Sequence, residues 1–129
     1  MTALAIVQSQ ECDTLRRVFQ AKSWSLTIAD TVSHGLSADF SSSPVIVILD
    51  RDLASPDWRP SVRQFASQPN SACVILASRV IDDYLWEEVI QQGGYDVLAK
   101  PFQEAELIRI MEFGWAHCKA MQALHLLGT

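Results

Sequence analysis

The stretch Val45 to Asp50, with the sequence VIVILD, decides the fold of this chain. Its first four residues are β-branched and a leucine follows, a pattern typical of a parallel strand that is buried on both faces of a sheet. Asp50 ends the run with a carboxylate. A buried parallel strand needs neighbours on both sides, so we expect the flanking sequence to supply further strands and the helices that cover them.

Short apolar runs alternate with amphipathic stretches along the rest of the chain. The predicted strands span Ala3–Val7, Trp24–Ala29, Val45–Leu49, Cys73–Ala77 and Tyr95–Ala99. The predicted helices span Glu11–Lys22, Thr31–Ala38, Asp57–Ser67, Ile81–Gln92 and Gln103–Ala123. Five successive strand–helix units predict an α/β fold, a doubly wound five-stranded parallel sheet with helices on both faces.

Composition narrows the class of protein. The 129 residues fit one domain, and 49% hydrophobic with 19% charged residues is an ordinary globular balance. A net charge of −5 gives no electrostatic reason to bind nucleic acid. No apolar run approaches the ~20 residues that span a bilayer. Cys12, Cys73 and Cys118 lack metal-ligand spacing. We expect a cytoplasmic protein with buried thiols and with neither nucleic-acid nor membrane partners.

Polar side chains follow three of the predicted strands, at the edge of the sheet where α/β proteins bind ligands. Asp50, Ser78 and Lys100 come from three different strand ends. An Asp carboxylate can accept a phosphoryl group as a nucleophile, and a Lys ammonium or a hydroxyl can bind phosphoryl oxygens. Taken singly, a strand-end Asp is usually a loop cap and a Lys is usually solvated, and for Ser78 the sequence slightly favours an ordinary loop hydroxyl. The sequence contains neither a dinucleotide-binding nor a Walker A glycine pattern.

The segment from Gly93 to Phe102, GGYDVLAKPF, resembles the fifth-strand signature of response regulator receiver domains. Val45 to Leu53 is similar to their third strand, and the resemblance covers essentially the whole chain. It implies a single receiver-like domain over residues 1–129, with no output domain. It also implies the flavodoxin-like (βα)5 fold with the strand order 2-1-3-4-5.

The same resemblance assigns roles to individual residues. Asp50 takes the phosphoacceptor position and Lys100 that of the family's lysine, with Ser78 one residue after the usual hydroxyl. Asp52 would offer its backbone carbonyl to a metal ion beside Asp50. The Lys100-Pro101 peptide bond is expected to be cis, because an X-Pro bond tolerates this isomer at a cost of about 0.5–1 kcal/mol.

The sequence departs from the family pattern at several of these positions. Gln8 and Ser9 stand where receivers carry two acidic residues that hold Mg²⁺, and Ala77 stands at the usual hydroxyl position. Val97 replaces the aromatic residue of the fifth strand. Gln8 remains a weak candidate metal ligand through its amide oxygen, since a neutral ligand suits a hard cation poorly. We therefore expect weak Mg²⁺ binding and slow phosphorylation.

Three hypotheses about function stay open. The first is a receiver domain of two-component signalling that accepts a phosphoryl group on Asp50 from a histidine kinase or phosphotransfer protein, with no enzymatic activity beyond that autocatalytic transfer. The second is a pseudo-receiver that binds other proteins independently of phosphorylation. The third is a small α/β ligand-binding domain that shares only the architecture.

The last two predicted helices carry more apolar residues than one buried stripe needs. Leu107, Ile110, Met111 and Cys118 form one stripe of the last helix, whereas Phe113 and Trp115 lie elsewhere. We therefore predict a contact face for a homodimer or an output partner, formed by Phe113, Trp115 and, on the preceding helix, Trp86.

Overall fold

The computed structural model describes residues 1–39, 44–68 and 71–128, in which five strands alternate with five helices. The strands are β1 (Thr2–Ile6), β2 (Ser25–Ala29), β3 (Val45–Asp50), β4 (Ser71–Ser78) and β5 (Asp96–Ala99). The helices are α1 (Ser9–Lys22), α2 (Val32–Ser37), α3 (Arg59–Ala66), α4 (Asp83–Gln91) and α5 (Glu104–Gly128). No helix in these described ranges is long and apolar enough to cross a membrane.

The five strands form one parallel sheet in the order β2-β1-β3-β4-β5. The predicted doubly wound sheet and its strand order are therefore confirmed. β3 lies at the centre, and all of its residues, Asp50 included, are buried. The register pairs Asp50 with Ala77 of β4, and Ser78 with Ala99 of β5. The carboxyl ends of these three strands consequently meet at one edge of the sheet.

Two apolar layers cover the two faces of the sheet. On one face, Leu15 and Phe19 of α1 and Met111 of α5 pack against alternate residues of the strands. On the other face, Phe65 of α3 and Val89 of α4 pack against the intervening residues. Successive residues of a strand point to opposite faces, so each uninterrupted apolar strand serves both layers. This double burial explains why the strands lack polar alternation.

The ends of several elements differ from the predicted ones, because they depend on capping and turn contacts. α2 begins one residue late, since the Thr31 hydroxyl accepts a hydrogen bond from the His34 amide and caps the helix. Trp24 precedes β2 and packs edge-to-face on Phe19. α4 ends as predicted at a glycine with positive φ, Gly93.

α5 is longer than predicted: it extends to Gly128 rather than ending near Ala123. Its predicted inner stripe is correct, because Leu107, Ile110, Met111 and Cys118 are all buried. Towards the carboxyl end, the exposed side chains of Met121 and Leu124 show that the helix outlasts its contact with the sheet. The helix therefore covers one sheet face with its first four turns, and the side chains of Met121 and Leu124 beyond them are exposed.

Candidate functional site

Asp50 is the centre of the candidate site. It ends β3 and is 0% exposed, and both carboxylate oxygens have a hydrogen-bond partner. Oδ1 accepts a hydrogen bond from the Asp52 amide at 2.8 Å, and Oδ2 accepts one from Lys100 Nζ at 2.7 Å. A buried carboxylate is costly unless it is paired and hydrogen-bonded, and Asp50 is both.

Lys100 reaches Asp50 from the far end of β5. The backbone amide of Lys100 donates to the carbonyl of Ser78 at 3.0 Å, which fixes the start of the turn after the strand. The Lys100-Pro101 peptide bond is cis, as predicted. The lysine is 6% exposed, so its ammonium is withheld from solvent and paired inside the protein.

Asp52 contributes more than sequence reasoning assigned to it. Only its backbone carbonyl was expected to matter, but its side chain is a second partner of the lysine, with Oδ2 at 3.3 Å from Lys100 Nζ. The Asp52 side chain is 50% exposed, so its carboxylate also meets solvent. One ammonium thus lies between a buried and a half-exposed carboxylate.

Ser78 lies at the same edge of the sheet, but its hydroxyl is occupied locally. Ser78 Oγ donates to the carbonyl of Val80 at 2.8 Å and accepts from the Val80 amide at 3.2 Å. Among the described hydrogen bonds, none joins this hydroxyl to Asp50 or Lys100. The geometry corresponds to the ordinary loop hydroxyl that the sequence left open as an alternative.

Gln8 stands at the N-cap position of α1, its side chain makes no capping hydrogen bond, and its described hydrogen bonds are all with residues within four positions along the chain. Its amide oxygen accepts a hydrogen bond from the Gln10 side chain at 3.3 Å, and its carbonyl accepts from the Glu11 amide. Within the described residues, no group of three or more His, Cys, Asp and Glu side chains is arranged to hold a metal ion. With a lysine between Asp50 and Asp52, and amide and hydroxyl groups at positions 8 and 9, this donor set fits Mg²⁺ poorly.

Glu11 is a buried acidic residue that sequence reasoning missed. It is 7% exposed, and its Oε2 atom is shielded from solvent with no hydrogen-bond partner. A signal was available: Glu11 precedes Leu15 by four residues and Val18 by seven, so it shares the apolar stripe of α1. Glu11 also lines a cavity of about 430 Å³ that reaches the turn of residues 100–102.

Cys12, Cys73 and Cys118 are buried, as predicted. Cys73 of β4 donates its thiol hydrogen to the carbonyl of Gly114 in α5 at 3.2 Å. A hydrogen bond with Cys118 and burial in the core both raise the pKa of the Cys73 thiol. This thiol stays protonated and behaves as a core residue rather than a nucleophile.

Two of the three residues proposed for a contact face are exposed. Trp86 of α4 is 46% exposed and Phe113 of α5 is 61% exposed, and both helices pack against β5. Trp115 is different: it is only partly exposed and packs against the core under α1 and α5, beside a cavity that Met1 and Trp24 also line. Its assignment to the surplus apolar face is therefore wrong, because its side chain packs in part against the core.

The structure is similar to solved receiver domains. It matches the signal receiver domain of an HD domain-containing protein from Pseudomonas fluorescens with a TM-score of 0.78 and 22% identity, covering 95% of this chain and 90% of that one. A second match is the receiver domain of a sensor histidine kinase from Pseudomonas aeruginosa, which has a magnesium ion in its active-site cleft. Its TM-score is 0.66 and its sequence identity 20%, and the match covers 86% of this chain and 93% of that one. NtrX from Brucella abortus matches with a TM-score of 0.81 and 20% sequence identity, and the match covers 98% of this chain and 30% of NtrX.

No protein-family model and no curated protein matches the sequence. At identities of 16–22% the likeness establishes the fold, which is that of response regulator receiver domains. The fold predicted from the strand pattern and the Lys100–Phe102 segment is thus confirmed.

Proposed function

We propose that the chain is a receiver domain of two-component signalling, a single domain over residues 1–129 that acts in the cytoplasm. In this proposal Asp50 accepts a phosphoryl group from a histidine kinase or a phosphotransfer protein. The observation that carries it is the 2.7 Å contact of Lys100 Nζ with Asp50 Oδ2 at the carboxyl edge of a receiver-type sheet. The pair supplies a nucleophile and a cation for the incoming phosphoryl oxygens.

The transfer has a simple balance. An Asp50 carboxylate oxygen attacks phosphorus, a P–O bond forms, and the P–N bond to the donor histidine breaks. The electron pair of that bond remains on the imidazole, which takes up a proton from solvent. Lys100 keeps its charge throughout and stabilises the negative oxygens of the transferred group.

The burial of Asp50 limits the rate of this reaction. The carboxylate is 0% exposed and both of its oxygens are engaged, so a donor reaches it only after the groups around it have moved. Mg²⁺, when bound, would neutralise charge on the phosphoryl group, and Asp50 with the backbone carbonyl of Asp52 would hold it. Gln8 adds only a neutral oxygen, so we propose weak metal binding and slow transfer.

Phosphorylation is tested by incubating the protein with a small phosphodonor and Mg²⁺ and weighing it intact. The expected result is the added mass of one phosphoryl group, absent from the Asp50→Asn variant. Asp83→Asn is the matched control, because it makes the same change at an exposed carboxylate in the first turn of α4, which is no member of the described ion pairs around Lys100. A mass gain that persists in Asp50→Asn would contradict the proposed acceptor.

A second candidate function is favoured by a specific observation. Asp50 is fully buried, and the positions that hold acidic residues in receivers carry Gln8 and Ser9. These features suit a pseudo-receiver that binds partner proteins without phosphate. No mass gain from the phosphodonor, at any Mg²⁺ concentration tried, would make this the better account.

Either function needs a surface for partners, and we propose the one formed by α4, β5 and α5. Its exposed apolar side chains are Trp86 and Ile90 on α4 and Phe113 on α5. Isolated apolar residues are common on surfaces, but three on the two helices that flank one strand suit a protein interface. A homodimer is tested by light scattering: Trp86→Glu and Phe113→Glu should each lower the measured mass towards the monomer.

A further inference from the structure

We infer that the free edge of β2 binds a second copy of this chain, so that the two β2 strands run antiparallel about a two-fold axis at Thr27. Among the described strands, β2 pairs with β1 on one side and ends the sheet on the other. β5 ends the sheet at the opposite edge. The contact is therefore separate from the surface formed by α4, β5 and α5, and it uses neither Asp50 nor a phosphoryl group.

The backbone of β2 fixes the register of this contact. The Ser25 amide donates to the Met1 carbonyl at 2.9 Å, so the backbone groups of Ser25 face β1. Because successive residues of a strand point their backbone groups to opposite sides, Thr27 also faces β1, and Leu26 and Ile28 face outwards. A two-fold axis at Thr27 places Leu26 opposite Ile28 of the second copy. Each such pair exchanges both of its backbone hydrogen bonds, so the outward amides and carbonyls gain partners.

β2 lacks the features that commonly protect an edge strand. Its sequence from Ser25 to Ala29, SLTIA, contains no charged residue, no proline and no glycine, and its register with β1 runs without a bulge. Natural edges are usually blocked by such residues or by bulges, because unpaired backbone groups are a template for another strand. The exposed side chain of Thr27 meets its copy at the axis, and threonine pairs are favourable in antiparallel sheets.

A groove between β2 and α1 adds an apolar contact to the backbone pairing. Its volume is about 480 Å³, and its lining is mainly apolar, with Phe19, Trp24, Leu26 and Ile28 beside Arg16 and Gln20. Leu26 and Ile28 pack against the core but stay partly exposed. A two-fold axis perpendicular to the sheet keeps its faces, so the same two side chains of the second copy lie on this side and cover the exposed flanks. That burial stabilises the contact.

The two ends of β2 carry opposite charges. Lys22 flanks the amino end, with Nζ 6.0 Å from the centre of the Trp24 ring. Asp30 follows the carboxyl end, and its side chain is 81% exposed. A hydrogen bond with His34 lowers the pKa of the Asp30 carboxyl, which therefore stays charged at neutral pH. In the antiparallel arrangement each Lys22 lies at the Asp30 end of the other copy, whereas a parallel neighbour would bring like charges together.

The test measures the mass in solution of the Phe113→Glu chain, which carries the change proposed above to weaken the surface of α4, β5 and α5. We expect a dimer that dissociates on dilution. Thr27→Lys and Thr27→Glu in this chain should each lower the mass about twofold, because like charges then meet at the axis. An equal mixture of the two variants should restore the dimer. Ser67→Lys is the matched control and should remain dimeric, since it adds the same charge at an exposed position after α3, which packs against β4.

Three results would overturn the inference: a monomer at every concentration, a dimer that persists in Thr27→Lys, or a mixture that stays monomeric. The first of these would leave the edge to an extended segment of another protein.

A neutral variant tests the axis without added charge. Thr27 and its copy form a non-hydrogen-bonded pair, in which the Cα atoms lie about 4.5 Å apart, a separation that suits a disulfide. Diamide, which takes up the hydrogens of the two thiols, should therefore link Thr27→Cys chains into a covalent dimer at least about tenfold faster than Ser67→Cys chains. The unchanged protein is the background control, because its own cysteines are buried. Equal rates for the two cysteine variants would place the axis elsewhere and contradict the inference.

Discussion

Lys100 Nζ lies 2.7 Å from Oδ2 of Asp50, and the two side chains are buried to all but about a hundredth of their surface. The pair joins the end of β5 to the end of the central strand β3, fifty residues apart in the sequence. Because each charge compensates the other, removing either one alone leaves the remaining charge with fewer partners at this edge of the sheet. The contact therefore has a structural role as well as the chemical one proposed for it.

This pairing predicts an asymmetric response to mutation. Lys100→Met leaves Asp50 as a buried carboxylate with only the Asp52 amide as partner, and should lower the free energy of unfolding by about 3–5 kcal/mol. Asp50→Asn should cost less, because Lys100 keeps its contact with Asp52. Urea denaturation measures both. The double variant should recover most of the loss, whereas strictly additive losses would contradict a coupled pair.

Substitution of Asp52 is expected to change the rate of phosphorylation rather than the free energy of unfolding. Its carboxylate is 50% exposed, so Asp52→Asn should change the free energy of unfolding by less than about 1 kcal/mol. The substitution also removes a negative charge from the approach to Asp50, and Asp50 then remains as the carboxylate paired with Lys100. Phosphorylation by a small anionic phosphodonor should therefore become several-fold faster. The mass-gain time course checks this; a slower reaction would mean that Asp52 holds Lys100 in its reactive position.

The sequence predicts the sheet from strong local patterns, and it brings Asp50 and Lys100 to one site through the resemblance to receiver domains. β3 is apolar throughout, and the Lys100–Phe102 segment resembles one known turn. The side chain of Asp52 escaped prediction because the resemblance assigns a role only to its backbone carbonyl, and its contact with Lys100 depends on the folded turn. The hydroxyl of Ser78 faces the same difficulty: its position at the strand end was evident, but its hydrogen bonds with Val80 depend on the path of the loop.

The misassigned tryptophan has a related cause. Trp115 follows Met111 by four residues and precedes Cys118 by three, so it lies close to the buried stripe of α5. Helical spacing gives the angle around the helix, but not how far a neighbouring element reaches around it. The contribution of Met1 and Trp24 to the cavity beside Trp115 belongs to the tertiary structure.

The weak metal site predicts a gain of function on restoring the acidic pair. Gln8→Asp combined with Ser9→Asp places two carboxylates at the start of α1, where the helix dipole favours them. We expect tighter Mg²⁺ binding by calorimetry and faster phosphorylation, since the ion neutralises charge on the phosphoryl group.

The same double variant should be less stable without metal, because three carboxylates then repel one another, and should recover with Mg²⁺. Asp50→Asn in that background serves as the control and should abolish the gain in affinity. Tight Mg²⁺ binding by the unchanged protein would contradict the weak site.

The buried thiol of Cys73 predicts how stability depends on pH. A hydrogen bond with Cys118 and burial raise its pKa above the ordinary value of 9.0, so the folded protein keeps the proton while the unfolded chain releases it. Below pH 9 both states are protonated and the group has no effect. Above it the unfolded state binds fewer protons, so this thiol lowers the free energy of unfolding by up to about 1.4 kcal/mol per pH unit.

Urea denaturation between pH 9 and 10 follows this effect, and Tyr95, whose pKa is raised from the ordinary value of 10.0 mainly by burial, adds a smaller decline towards pH 10. Cys73→Ala should be less stable at neutral pH, since it leaves a small cavity between β4 and α5, but its stability should fall less steeply with pH. Cys118→Ala removes the hydrogen bond that is the largest cause of the shift and should give an intermediate slope. Equal slopes in the unchanged protein and Cys73→Ala would show that the thiol ionises alike in the folded and unfolded states.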